Sequence, residues 1–178
     1  GKTLPEKKPY VDEALRHIKN GISIRNTKKV EVVTEQDQED SKYVRLTPAQ
    51  VHDLLQSPPD NLIGLRDRAL LALMLCTGIR EGEAANATVA DLRQHLSGEL
   101  SFRVARGKGS KKRLVPYGVM TWGLDYVDTW LGYSGIDNGY VFRGFEFDGK
   151  TLRDNSITTR SIQRIVKRYP VLIDGGYI

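Results

Sequence analysis

The chain has 178 residues, with 27 Lys and Arg against 22 Asp and Glu for a formal net charge of +5, and 39% of its residues are hydrophobic. That composition suits one domain with a real core, or a domain plus an appendage, and excludes wholesale disorder. The longest apolar run, Ala69 to Cys76, is eight residues, far short of the roughly 20 that a membrane helix needs, so no segment is expected to cross a bilayer. Cys76 is the only cysteine, which excludes an intramolecular disulfide and suits a reducing cytosol, so a cytoplasmic protein is expected. The chain opens Gly1-Lys2-Thr3-Leu4-Pro5-Glu6, without an initiator Met or an apolar signal region, and is expected to be an excerpt of a longer protein.

In residues 1–46, Val11, Leu15 and Ile18 stand at helical spacing and predict one short helix ending near Asn20-Gly21. Glu31, Glu35, Asp37, Glu39 and Asp40 then form an acidic stretch without a positive charge, read as linker. Order is expected to begin at Thr47-Pro48-Ala49-Gln50, where a Thr N-cap, Pro at the first helical position and Gln three residues after the cap make a capping box. Val51, Leu54 and Leu55 give that helix its buried face. After Pro58-Pro59, Asp60 or Asn61 can cap a second helix, which runs through the apolar stretch and stops at Thr77-Gly78. Its second half is apolar nearly all round, the mark of a core helix. A short helix from about Arg80 to Asn86 and a turn over residues 88–92 follow.

From Glu99 the period changes to two. Leu100, Phe102 and Val104 alternate with Ser101, Arg103 and Ala105, predicting a half-buried strand. A turn at Gly107-Lys108-Gly109-Ser110 leads to a second strand, Arg113 to Val115, ended by Pro116. Residues 101–120 carry Arg103, Arg106, Lys108, Lys111, Lys112 and Arg113 and no acid, so this is a basic hairpin. Met120, Leu124, Val127 and Leu131 predict an amphipathic helix from about Val119 to Leu131. Tyr140-Val141-Phe142 fits a third strand. Ile162, Ile165, Val166 and Tyr169 form one face of a helix that starts near Ser156 and that Pro170 ends. Lys150, Arg153, Arg160, Arg164, Lys167 and Arg168 make a second basic stretch, and two such stretches are what a domain would present to a phosphate backbone.

Several chemistries are missing. The Gly107-Lys108-Gly109-Ser110 run is not a nucleotide-binding loop, since that pattern needs Gly where Phe102 stands. His17, His52 and His95 are scattered without a Cys or carboxylate cluster, so no metal and no other cofactor is expected. Glu81 and Glu83, two apart on a helix, face different ways and make no acid/base pair. The serine nucleophile elbow is absent.

Residues 69–83, Ala-Leu-Leu-Ala-Leu-Met-Leu-Cys-Thr-Gly-Ile-Arg-Glu-Gly-Glu, and residues 107–116, Gly-Lys-Gly-Ser-Lys-Lys-Arg-Leu-Val-Pro, resemble the two ordered motifs of the tyrosine recombinase and phage integrase family. The resemblance runs from about Leu46 to Ile178. It implies an α+β fold, mainly α, of the tyrosine-recombinase catalytic type with a small antiparallel β-sheet and its C-terminal part missing. Residues 1–46 are then a linker that can include the end of a preceding DNA-binding domain, and 47–178 a partial catalytic domain. It further implies DNA cleavage and rejoining by a tyrosine that forms a 3′-phosphotyrosyl link and frees a 5′-hydroxyl. In that scheme Arg80 binds the phosphorane, Lys108 protonates the leaving 5′-oxygen, and Glu83 and Asp91 give structural support. Arg103, Arg106, Lys111, Lys112, Arg113, Arg160 and Arg164 are expected contacts to double-stranded DNA, on which the full-length parent would self-associate.

The sequence departs from the family pattern in its last part. No His is followed by Arg three residues later, all three histidines precede Lys108, and no tyrosine, Tyr117, Tyr126, Tyr133, Tyr140, Tyr169 and Tyr177 included, occupies the nucleophile's place. The 178 residues alone are therefore expected not to cleave DNA, and a non-catalytic DNA-binding fragment or regulator of the same fold is the alternative.

Overall fold

A computed structural model describes residues 46–105, 112–173 and 176–177. The short helix expected around Val11, Leu15 and Ile18, the acidic stretch, and Arg106, Lys108 and Lys111 lie outside the described residues. Helix α1, Pro48–Gln56, starts as its sequence dictates: Thr47 Oγ1 accepts the Gln50 N–H at 3.3 Å and Gln50 Oε1 accepts the Thr47 N–H at 2.8 Å. Helix α2, Leu62–Thr77, is capped by Asn61, whose Oδ1 accepts the Gly64 N–H at 2.9 Å. Gly64 allows the entry, because a Cβ there would stand 1.9 Å from the Pro59 carbonyl oxygen. Gly78 ends α2 in the left-handed region at φ 60°, with its N–H on the Met74 carbonyl.

The centre of the molecule is α2 against α4, Gly123–Ser134. Ala69, Leu70, Ala72 and Leu73 of α2 are fully buried, as are Val127 and Trp130 of α4. Gly123 lies where α4 packs tightly on α2: a Cβ added there would meet Cys76 Sγ at 2.4 Å and the Ala72 carbonyl oxygen at 3.2 Å. At the other end of α4 the Trp130 indole N–H donates to the Val141 carbonyl at 2.8 Å, and its ring meets Phe145 edge-on. The helix predicted from Val119 begins later, because Gly118–Met120 is a 3-10 turn with Val119 exposed. Trp130 takes the buried position that the pattern assigned to Leu131, and Met120 is exposed.

Helix α3, Glu81–Ala85, and a 3-10 turn, Val89–Asp91, connect α2 to an antiparallel sheet in the order β1 (Gln94–Leu96), β2 (Glu99–Val104), β3 (Arg113–Pro116). The pairings Ser101↔Pro116 and Val104↔Arg113 establish the expected basic hairpin, and β1 is an additional strand. Ser97 and Gly98, at φ 51° and 86°, make the two-residue turn between β1 and β2. Ser101 is fully buried, against the predicted alternation, so both faces of β2 are covered at this position.

Val141 and Phe142 are fully buried but precede the next strand, β4 (Arg143–Phe145), which pairs with β5 (Leu152–Ser156). Helix α5 spans Thr159–Arg168 rather than starting near Ser156. The Ile157 N–H still bonds the Phe142 carbonyl, and Thr158 is the cap, its Oγ1 accepting the Ser161 N–H at 3.1 Å. Ile162 and Ile165 are buried on α5 with Tyr169 just beyond it, whereas Val166 is exposed. Strands β6 (Leu172–Ile173) and β7 (Gly176–Tyr177) pair after α5. Among the described residues no helix is long and apolar enough to cross a membrane.

Candidate functional site

The site is built on the turn that follows α2. Gly78 reverses the chain, Ile79 is buried, and Arg80 sits extended at the N-cap of α3, φ −74° and ψ 156°. Its backbone N–H donates to Glu83 Oε2 at 3.0 Å, and its Nη1 stands 3.4 Å from Glu83 Oε1. The backbone of Arg80 is thus fixed while its side chain remains 65% exposed.

Glu83 is almost wholly buried and also takes both terminal nitrogens of Arg113, Nη1 to Oε1 at 2.7 Å and Nη2 to Oε2 at 2.8 Å. This two-pronged pair, the strongest geometry open to a guanidinium and a carboxylate, pins β3 at the base of the basic hairpin to the Arg80 turn. The Arg113 hydrogen bonds pull the Glu83 carboxyl down to about 2, and the Arg80 N–H and the charges of both arginines add to the pull, against the opposing effect of burial. Arg113 is reciprocally raised by Glu83.

The next turn repeats the scheme. Buried Asp91 accepts the Thr88 N–H at 3.0 Å and the Thr88 hydroxyl at 2.6 Å on Oδ2, while its Oδ1 accepts from Arg103 Nε on β2. Two helical turns are therefore fastened to two adjacent strands through Glu83–Arg113 and Asp91–Arg103. Between them lies a cleft of about 240 Å³ lined by Asn86, Thr88, Arg103 and Tyr140 along with the two carboxylates.

The structure brings Arg80, Glu83 and Arg113 into one cluster and Asp91 and Arg103 into its neighbour. Arg103 and Arg113 were expected on DNA; each is engaged with a buried carboxylate. Both terminal nitrogens of Arg113 are taken, whereas those of Arg103 have no partner among the described residues. Lys112 is exposed beside Arg113. Arg160 and Arg164 are exposed on α5, four residues apart, with Lys167 on the same face, and none of the three has a partner among the described residues. Lys108 lies outside the described residues, on the connection between Ala105 and Lys112.

Sequence reasoning missed two links. Gln163 Nε2 of α5 donates to Glu81 Oε2 at 2.9 Å, joining α5 to the residue after Arg80. Asp67, fully buried on α2, accepts from Arg66 Nε and Nη2 on Oδ1, and from Tyr169 Oη at 3.0 Å and Arg168 Nη1 at 3.3 Å on Oδ2. An acid inside a core helix was the available signal for the second, since a buried carboxylate requires partners. Cys76 is no candidate nucleophile, because burial pushes its thiol up to about 11 despite a backbone hydrogen bond from Gly123. Among the described residues no group of His, Cys, Asp and Glu could hold a metal ion.

The phage integrase family model matches residues 44–174. The chain is 47% identical over 76 residues to the tyrosine recombinase XerD of Xanthomonas axonopodis pv. citri, an alignment covering 41% of this chain and 23% of that protein. It is 32% identical over 131 residues to the tyrosine recombinase XerD of Ralstonia nicotianae, covering 70% of this chain and 39% of that protein. The crystal structure of XerA recombinase matches 71% of this chain and 41% of its own at TM-score 0.50 and 19% identity, a likeness of fold. The chain thus spans 23%, 39% and 41% of the length of these three proteins. Because the family match takes in α1 through β6, with the Arg80 turn and the hairpin in their expected order, the chain belongs to the phage integrase family of tyrosine recombinases.

Proposed function

We propose that this chain is part of the catalytic domain of a site-specific DNA recombinase, and that the Arg80 turn and the basic hairpin act on one phosphate of the DNA backbone. The observation that carries this reading is the Glu83 carboxylate. It holds the base of the hairpin through Arg113 and the Arg80 backbone N–H at once, yet leaves most of the Arg80 side chain exposed. A guanidinium on a rigid backbone can hold an anion through two parallel hydrogen bonds and stays charged at any working pH, which suits a phosphorane that gains negative charge as it forms.

On this reading Lys108, on the connection springing from that same base, protonates the leaving 5′-oxygen. Arg103 serves two partners, Asp91 through Nε and a DNA phosphate through its terminal nitrogens. Lys112, Arg106, Lys111, Arg160 and Arg164 add backbone contacts, and Arg113 acts through Glu83 rather than on DNA. No tyrosine of this sequence is assigned the nucleophile's part in this reading, which rests on phosphate binding. Self-association on DNA is part of the same reading.

Duplex binding tests the reading. With six or more phosphates contacted, affinity falls by about 10³-fold or more between roughly 50 and 200 mM salt. Affinity that stays flat over that range rules out a phosphate-contacting surface.

A further inference from the structure

Among the described residues, side chains at both ends of α5 contact other helices. Toward its C-terminal end, Arg168 and the adjoining Tyr169 hold the buried Asp67 carboxylate of α2. Toward its N-terminal end, Thr159 Cγ2 lies 3.9 Å from where a Cβ on Gly82 would stand, and Gln163 donates to Glu81. Between them Ile162 and Ile165 are buried in the core. Packing and the Asp67 hydrogen bonds fix the core-facing side and the C-terminal end of α5, and leave the placement of its N-terminal end beside α3 to the contacts there. The Glu81–Gln163 hydrogen bond is the one polar side-chain link between α3 and α5 among the described residues, and Glu81 directly follows Arg80.

The opposite face of α5 carries Arg160, Arg164 and Lys167 at i, i+4 and i+7. They form one exposed basic row about 10 Å long at 1.5 Å per residue, a length over which B-DNA presents about six charges. A duplex lying along this row has its phosphates placed by α5, and the distance from α5 to Arg80 then decides whether one of them reaches the Arg80 guanidinium.

We propose that Glu81 and Gln163 are positioning residues: their hydrogen bond holds the basic row of α5 in register with Arg80, so that DNA held on α5 delivers a phosphate to Arg80. This rests on the reading of Arg80 as a phosphate ligand given above. Gln163→Glu sets two carboxylates against each other and breaks the register. Adding Glu81→Gln restores a donor and an acceptor with the pair reversed and the net charge unaltered, while the carboxylate moved onto α5 still stands among that helix's basic residues.

The test is the contribution of Arg80 to the salt dependence of duplex binding, taken as the change in the slope of log affinity against log salt on Arg80→Ala. In the otherwise unaltered chain the slope becomes shallower by about 0.9, one phosphate contact. In the Gln163→Glu background Arg80→Ala changes the slope by about zero, and in the reversed pair the change of about 0.9 returns. Loss of a full contact in the Gln163→Glu background overturns the positioning role and leaves the Arg80 reading standing, as does failure of the reversed pair to restore it. An unchanged slope on Arg80→Ala in the unaltered chain overturns the Arg80 reading and the positioning role with it.

Discussion

Glu83 is the residue on which the local architecture turns, because a carboxylate this deeply buried is stable only with its lone pairs filled. Arg113→Ala leaves that charge with the Arg80 contacts alone and is expected to cost about 3 kcal/mol in urea unfolding. The pH dependence has a definite sign. The carboxyl is lowered from its ordinary 4.5 to about 2 in the fold, so its contribution is complete above about pH 4.5 and is lost as pH falls from there toward 2. Glu83→Gln should flatten that part of the acid limb of a stability–pH curve; an unchanged limb would mean that other carboxylates set it. Asp91 entered the sequence reading only through the family resemblance, and Glu83 otherwise only as half of a rejected acid/base pair with Glu81. Their partners could not be read, since Arg113 lies 30 residues from Glu83 and Arg103 lies 12 from Asp91. The arginines were legible as positive charges near a polyanion, but the carboxylates that claim them become visible only when strand and helix meet.

At the scale of elements, contacts between helices decide stability. Gly123→Ala forces a methyl against Cys76 Sγ and the Ala72 carbonyl where α2 and α4 cross, and should lower stability by about 1–3 kcal/mol in a thermal melt. Tyr169→Phe removes one donor from buried Asp67 while keeping the ring, and should cost about 1 kcal/mol. Elements whose signals are local and complete were legible: Thr47, Pro48 and Gln50 contain the whole start of α1, and Gly78 contains the end of α2. Strand β1 was not, because Gln94-His95-Leu96 is short and polar and is held by the Ser97-Gly98 turn and its pairing to β2. Strand β5, Leu-Arg-Asp-Asn-Ser, likewise owes its form to the hairpin, whose turn Asp148 closes by accepting the Lys150 and Thr151 N–H groups at 2.9 Å each. The start of α5 was misplaced because Ser156 and Thr158 are both capping residue types, and only the continuation of the extended chain through Ile157 selects the second.

For the molecule as a whole, Arg80 and Arg113 gather on the buried Glu83 and Arg103 on the buried Asp91, while Arg160, Arg164 and Lys167 form a separate exposed row on α5. The net charge of +5 could not reveal those pairings, whereas the order of the two family motifs did foreshadow the family and its fold. The division of labour proposed for Arg80 and Lys108 is open to a single measurement, made on a cleavage-competent recombinase that carries this sequence: cleavage of a substrate whose 5′ leaving oxygen is replaced by sulfur, a leaving group that departs without a proton. Lys108→Ala should lose cleavage on ordinary DNA and recover it on the sulfur substrate, while Arg80→Ala remains inactive on both, since its charge stabilises the phosphorane whatever the leaving atom. Cleavage of ordinary DNA by Arg80→Ala, or no recovery of Lys108→Ala on the sulfur substrate, would contradict the assignment of the two side chains to one phosphate.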